Sequence, residues 1–240
     1  AGINVNVTLI FSRERYKDVM DMYLGGLEDR LSIAANLNSI ASVASFFISR
    51  MDTKVDALLE KIGSPQALAL RGKLAIANAK LAYQDFKKAF NSERFIKIKE
   101  KGAKVQRPLW ASTSTKNPNY PDTLYVDNLI GPYIVNTAPP YTLLAFMDHG
   151  KAELTIEKDL GEARRVIEEI ESLGISLSQI TQELEDEGIE AFNQAYQSLL
   201  SAVETRAKQN RSQLGDLAPL VERQVIHLKE EQFIERMYHK

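Results

Sequence analysis

Val105–Asn117 reads VQRPLWASTSTKN. It is an apolar, strand-like run that breaks off in a cluster of hydroxyls closed by Lys116. Two other segments share the design. Val5–Ser12 (VNVTLIFS) sets Asn6 and Thr8 among β-branched and aromatic residues, and Val43–Arg50 (VASFFISR) contains Ser45 and ends in Arg50. Short runs without a polar face are the signature of strands buried on both sides, as in a parallel sheet.

Four such runs are predicted as strands: Val5–Phe11, Ala41–Ile48, Val105–Trp110 and Ile134–Thr137. Helical patterns lie between them. Tyr16, Met20, Tyr23 and Leu27 share one face, with Ser12 as N-cap and Gly25-Gly26 weakening the end. Asp52 or Thr53 is placed to cap a second helix through Val55, Leu58 and Ile62, and Lys73–Phe90 forms a third. Tyr125–Ile130 suits one short turn.

After about residue 150 the spacing becomes helical, first through Leu160, Ala163, Ile167 and Ile170. It resumes at Ile189, Phe192, Tyr196, Leu199 and Val203, with Ser176 and Gln179 as a capping box between the two. Residues 207–216 read as a polar linker or turn before a last helix, with Leu220, Val221, Val225 and Leu228 inward. The expected organisation is 1–150 as one β/α body, 151–206 as helices packing on it, and 207–240 as linker and terminal helix. Alternating strands and helices argue an α/β fold with a parallel sheet. A complete (β/α)₈ barrel takes about eight strands in about 250 residues, and only four are legible here.

Composition narrows the function. The chain of 240 residues is 44% hydrophobic and 26% charged with a net charge of -2, ordinary for a soluble domain. No basic field recommends nucleic acid or an acidic membrane surface. The absence of cysteine excludes disulfides, thiolate metal sites and a cysteine nucleophile, and fits a cytoplasmic setting. No apolar run reaches the roughly 20 residues of a membrane helix. His149, His227 and His239 lie too far apart to suggest a ligand set, so no metal site is expected. The acidic run Glu183–Glu187 reads as a solvated helix face.

The chain resembles the transaldolase family, in particular the longer bacterial subfamily also found fused to glucose-6-phosphate isomerase. The resemblance rests on GINVNVTLIFS (Gly2–Ser12), SVASFFISRMD (Ser42–Asp52), GKLAIANAKLAYQDF (Gly72–Phe86), QRPLWASTSTKNPNYPDTLYVDNLIGP (Gln106–Pro132) and VNTAPP (Val135–Pro140). It implies that these strands are the fifth to eighth of a TIM barrel, followed by C-terminal helices. It also implies that the Schiff-base lysine belongs to a fourth strand upstream of Ala1, so that this chain alone would be inactive.

What the resemblance implies about residues is specific. Asn6 and Thr8, two apart on a strand, face one way; the matching threonine holds the catalytic water and the matching asparagine a substrate hydroxyl. Ser45 matches another hydroxyl contact. Arg50 matches a phosphate-binding arginine, whose planar fork suits phosphate. Ser112, Ser114 and Lys116 fall where the phosphate site is completed.

Plainer readings stand beside these. Thr8 suits a strand by propensity alone, and Ser45 is small enough for a crowded interior. Arg50 has Asp52 and Asp56 nearby in sequence as surface ion-pair partners, and 112–116 is compatible with a merely polar loop. Asn6 is harder to dismiss, because an unpartnered buried amide costs about 1–3 kcal/mol.

The expected activity is transfer of a dihydroxyacetone unit in the pentose phosphate pathway, without metal or organic cofactor. The expected partners are fructose 6-phosphate, sedoheptulose 7-phosphate, erythrose 4-phosphate and glyceraldehyde 3-phosphate. An N-terminal half-barrel joins them, and a homodimer is compatible with the C-terminal helices. The alternative is a half-barrel that binds sugar phosphate or a protein partner without catalysis.

Overall fold

The computed structural model describes residues 3–33 and 36–230. The chain forms two compact units, Ala1–Gly188 and Ile189–Lys240.

The first unit is built on four parallel strands: β1 (Val5–Ile10), β2 (Ser42–Phe47), β3 (Gln106–Ala111) and β4 (Val135–Asn136). Their order in the sheet is their order in the chain. Helices follow each strand in turn, first α1 (Arg13–Ile33), then α2 (Ser49–Ile62), α3 (Pro65–Ala69), α4 (Leu74–Phe90) and α5 (Glu93–Lys99). Next come α6 (Leu124–Asn128), α7 (Pro140–His149), α8 (Leu160–Ser172) and α9 (Leu177–Leu214). This is the architecture of half a (β/α)₈ barrel followed by helices. Each strand after the first needs a crossover back across one face, and the helices supply it.

The core lies between sheet and helices. Ala44, Phe46 and Trp110 are fully buried. The Phe46 ring meets both Trp110 and Tyr16 edge-on, with centroids 5.9 and 5.8 Å apart. The indole N–H of Trp110 donates to the Leu129 carbonyl at 3.0 Å, which meets the one polar demand of that buried ring.

Several boundaries differ from the sequence expectation. Gly25-Gly26 does not end α1, which runs to Ile33 from the Ser12 cap, where Arg15 N–H donates to Ser12 Oγ at 3.0 Å. The second helix begins at Ser49, so Asp52 and Thr53 sit inside it rather than capping it. The last strand keeps two residues. The expected Ser176 cap is present, with Gln179 N–H on its hydroxyl at 3.3 Å.

β1 contains a bulge. Val7 pairs with Ala44 but Ile10 with Phe46, so three steps along β1 match two along β2. Leu9 takes up the extra residue at φ 61°, a left-handed conformation uncommon outside glycine. Its side chain meets Gly188, where a Cβ would lie only 2.9 Å from Leu9 Cδ2.

The second unit holds the rest of α9, a short 3₁₀ turn at Gly215–Leu217 and α10 (Ala218–Glu230). The stretch 207–214, expected as a linker, continues α9; its Ala, Lys, Gln and Arg are good helix formers and no glycine intervenes before Gly215. Leu220 and Val221, expected inward, are 58% and 42% exposed. The side chains of Val225 and Leu228 lie outside the described residues. Ile189, Phe192, Tyr196, Leu199 and Val203 do share a helix, and all five are exposed.

Candidate functional site

The carboxyl ends of parallel strands are where a β/α fold collects its functional side chains, and here those ends are tied together by polar bonds. Further back along the strands, the hydroxyl of Ser45, fourth residue of β2, donates to Oδ1 of Asn6, second residue of β1, at 2.7 Å. Ser45 is 3% exposed and needs that acceptor. Thr8 stands next along the same side of β1, immediately before the bulge at Leu9, and is exposed.

At β2 and β3 the linkage is closer. Ile48 N–H donates to the Ala111 carbonyl at 2.9 Å and Ser49 N–H to the Ser112 carbonyl at 3.0 Å. The hydroxyls of Ser49 and Ser112 then pair at 2.9 Å. Ser112 itself sits at φ 58°, in the left-handed region, directly after the strand ends. Two residues on, Lys116 Nζ donates to the buried Ser114 hydroxyl at 2.7 Å. Between them, Thr113 donates to Asn136 Oδ1 at 2.7 Å and fastens the loop to β4.

Arg50 occupies the first turn of α2, whose N-cap residue Ile48 supplies no side-chain cap. Its guanidinium lies 5.4 Å from the centre of the Phe47 ring, a stacking contact that orients the planar fork. The ion pair with Asp52 or Asp56 does not form. Both carboxylates point to the opposite side of α2. Asp52 accepts from Ala75 N–H at 2.8 Å and from the Tyr125 hydroxyl at 2.9 Å. Asp56 accepts from Gly72 N–H at 3.0 Å and from the Tyr120 hydroxyl at 2.5 Å. Burial pushes the Asp52 carboxyl up to about 7, and desolvation raises Asp56 as well. Among the described residues, neither Arg50 nor Lys116 has a carboxylate partner.

The structure therefore joins Asn6 to Ser45, and brings the turn bearing Arg50 against the turn bearing Ser112, Ser114 and Lys116. Two cations without a carboxylate partner, set beside hydroxyls, suit an anion such as phosphate. Ser49, Thr113 and Asn136 were missed in the sequence. For Ser49 the signal was present, since it precedes Arg50 at the end of the strand run. Thr113 and Asn136 are 23 residues apart and meet only through the sheet.

The acidic run lies largely in solvent, as expected, with the Glu183 and Glu187 side chains 41% and 62% exposed. It also makes ion pairs: Glu183 and Glu187 share Lys54 of α2 at 2.8 and 2.6 Å, and Glu185 pairs with Arg15 of α1 at 2.9 Å. His149 sits between Asp122 and Asp148, at 2.9 and 3.1 Å, and these carboxylates raise its pKa. Among the described residues no three metal-ligating side chains cluster, and no helix is long and apolar enough to cross a membrane.

Residues 1–203 match the family described as Transaldolase/Fructose-6-phosphate aldolase. The chain is 52% identical over 204 residues to a transaldolase of Mycolicibacterium smegmatis, covering 85% of this chain and 55% of that one. It is 49% identical over 218 residues to a transaldolase of Parafrankia sp., covering 90% and 57% respectively. To a transaldolase of Mycobacterium tuberculosis it is 48% identical over 208 residues, covering 86% and 55%. The chain spans about half the length of these curated relatives.

Proposed function

This chain belongs to the transaldolase/fructose-6-phosphate aldolase family, and from that premise we propose that it forms the substrate-facing half of a transaldolase barrel. The observation that carries the reading is the Ser49–Ser112 hydroxyl pair at 2.9 Å. It joins the turn that bears Arg50 to the turn that bears Lys116, two cations left free for a sugar phosphate.

The proposed reaction moves a dihydroxyacetone unit between sugar phosphates of the pentose phosphate pathway, such as fructose 6-phosphate and erythrose 4-phosphate. A lysine amine condenses with the ketose carbonyl and water leaves. The C3–C4 bond then breaks, its electrons pass into the iminium, and the C4 hydroxyl gives up its proton as the aldehyde departs. The remaining three-carbon enamine adds to an acceptor aldehyde, and water hydrolyses the imine. In this scheme Thr8 positions the water, Asn6 and Ser45 hold substrate hydroxyls, and Arg50, Ser112, Ser114 and Lys116 hold the phosphate.

The nucleophile is placed outside this chain. None of β1 to β4 contains a lysine. Lys80, the most buried lysine described, lies on α4 and donates to the Lys158 carbonyl at 2.7 Å, and desolvation lowers its pKa. We place the Schiff-base lysine on a strand that pairs with the free edge of β1, within an N-terminal half-barrel that β1 and β4 would close upon. A cytoplasmic setting follows from the same reading.

The test is a chimera that joins this chain behind the N-terminal part of the Mycolicibacterium smegmatis transaldolase. Borohydride in the presence of fructose 6-phosphate should trap a sugar on the chimera and none on the 27.0 kDa chain. A trapped adduct on the chain alone would overturn the placement of the lysine. A correctly folded chimera that traps nothing would leave only a half-barrel that binds without catalysis.

A further inference from the structure

The two carboxylates that decline Arg50 have a purpose of their own. On α2, residues advance by about 100° each, so Asp52 and Asp56 share one face while Arg50 points nearly the opposite way. That face is buried, with Asp52 at 1% and Asp56 at 8% exposure. Each carboxylate holds two different segments at once. One oxygen of Asp52 accepts from Ala75 N–H in the first turn of α4, whose own N-cap residue Lys73 makes no side-chain cap. Its other oxygen accepts from the hydroxyl of Tyr125. One oxygen of Asp56 accepts from Gly72 N–H, and the other from the hydroxyl of Tyr120.

Tyr120 is the link to the site. It closes a turn with its N–H on the Asn117 carbonyl at 3.1 Å, while Asn119 N–H takes Asn117 Oδ1 at 3.0 Å. That turn begins directly after Lys116. The Tyr120 ring presses against Gly72: a Cβ there would come within 2.9 Å of Tyr120 Cζ, and φ at Gly72 is +69°. Only glycine meets both demands. Tyr125, 1% exposed, anchors the other end of the loop in α6.

We propose that Asp52 and Asp56, acting through Tyr125 and Tyr120, are positioning residues that hold the loop bearing Ser112, Ser114 and Lys116 in register with Arg50. The inference rests on the phosphate reading above and adds to it the device that fixes the distance between its two cations. α2 is the shared part: it presents Arg50 on one side and grips the opposing loop with the other. Without the grip, the loop is tied at its near end, by Ser49 to Ser112 and by Thr113 to Asn136 and Thr137, with Lys116 on Ser114.

The experiment measures the affinity of the chain for inorganic phosphate by titration calorimetry, well below the melting temperature. Four variants accompany it: Arg50→Ala, Tyr120→Phe, Asp56→Ala and Asp56→Asn. The expected result is loss of binding in Arg50→Ala and weakening of about fivefold in Tyr120→Phe and Asp56→Ala, the value of one ordinary hydrogen bond. Asp56→Asn keeps an acceptor for Gly72 and a partner for Tyr120, and should bind within about twofold of the parent by the same measure.

A purely structural role would lower melting temperatures and leave these affinities alone. If Arg50→Ala loses phosphate while Tyr120→Phe and Asp56→Ala bind as the parent does, the network is refuted and the phosphate site stands. If the parent fails to bind, or Arg50→Ala binds equally well, the phosphate reading fails and the network with it. Should Asp56→Ala not fold, amide hydrogen exchange across residues 112–124 in Tyr120→Phe decides. Faster exchange is expected, and unchanged exchange overturns the proposal.

Discussion

Leu9 and Gly188 meet where β1 faces the start of α9: a Cβ on Gly188 would lie 2.9 Å from Leu9 Cδ2. The contact exists because the bulge turns Leu9 out of the strand's alternation. It also explains a glycine inside a long helix, where glycine costs about 0.5–1 kcal/mol relative to alanine.

Substitutions at Gly188 set helix propensity against overpacking. Gly188→Ala is expected to be nearly neutral, since the methyl displaces only the flexible tip of Leu9. Gly188→Val adds branching and should destabilise by about 1–3 kcal/mol. Gly26 is the control: it lies in α1 with nothing within 4 Å of a Cβ, so Gly26→Ala should stabilise by about 0.5–1 kcal/mol. Urea unfolding of the three variants checks this, and a stable Gly188→Val would contradict the contact.

Asp52 couples stability to pH. Burial lifts its folded pKa to about 7, whereas an unfolded aspartate titrates near 4. Between these values the folded chain keeps a proton that the unfolded chain has lost. Stability from this group is therefore full below about pH 4 and falls as pH rises through about 7. Desolvation raises the neighbouring Asp56 in the same direction. Asp52→Asn should flatten the decline between pH 5 and 8 by on the order of 2 kcal/mol. Parallel pH profiles for parent and variant would rule the coupling out.

Thr8 stands exposed immediately before the bulge. In the chimera, Thr8→Ala is expected to slow turnover by about 100-fold while borohydride still traps the sugar. Loss of trapping and turnover together would mean that Thr8 serves substrate binding rather than the water step.

Among the described residues β1 has a strand neighbour on one side, β2, and Val5 on it is 51% exposed. An unpaired strand edge recruits further strands. The isolated chain should associate, as seen by light scattering, and Val5→Lys should suppress that association. A monodisperse monomer for the parent would dismiss the edge as its cause.

The sheet was legible in the sequence because buried parallel strands leave short, mostly apolar runs without a polar face, as VNVTLIF, SVASFF and VQRPLW do. The last strand kept two residues, with Pro139 and Pro140 close behind it, and a proline has no N–H to give a ladder. Short helices escaped although their signals were present: Ser64 caps Ala67 with Pro65 at the first position, and Ser92 caps Phe95. Of the site, the strand-end residues were readable and their partners were not. Asp52 and Asp56 sit beside Arg50 in sequence and suggest an ion pair. Which partners wait on the buried side of the helix is decided by segments 16 to 73 residues away.

The strand order β1-β2-β3-β4 follows the order of synthesis. A ribosome releasing this chain never asks a strand to wait for a later one before it can pair. β2 finds β1 already made, and β3 finds β2, each with its crossover helix in place. Growth by accretion keeps sequence separations short, which favours rapid folding, and it leaves one unpaired edge moving along with the newest strand. The same property makes the β/α pair a unit that evolution can add, split or fuse without redrawing the pairings already laid down.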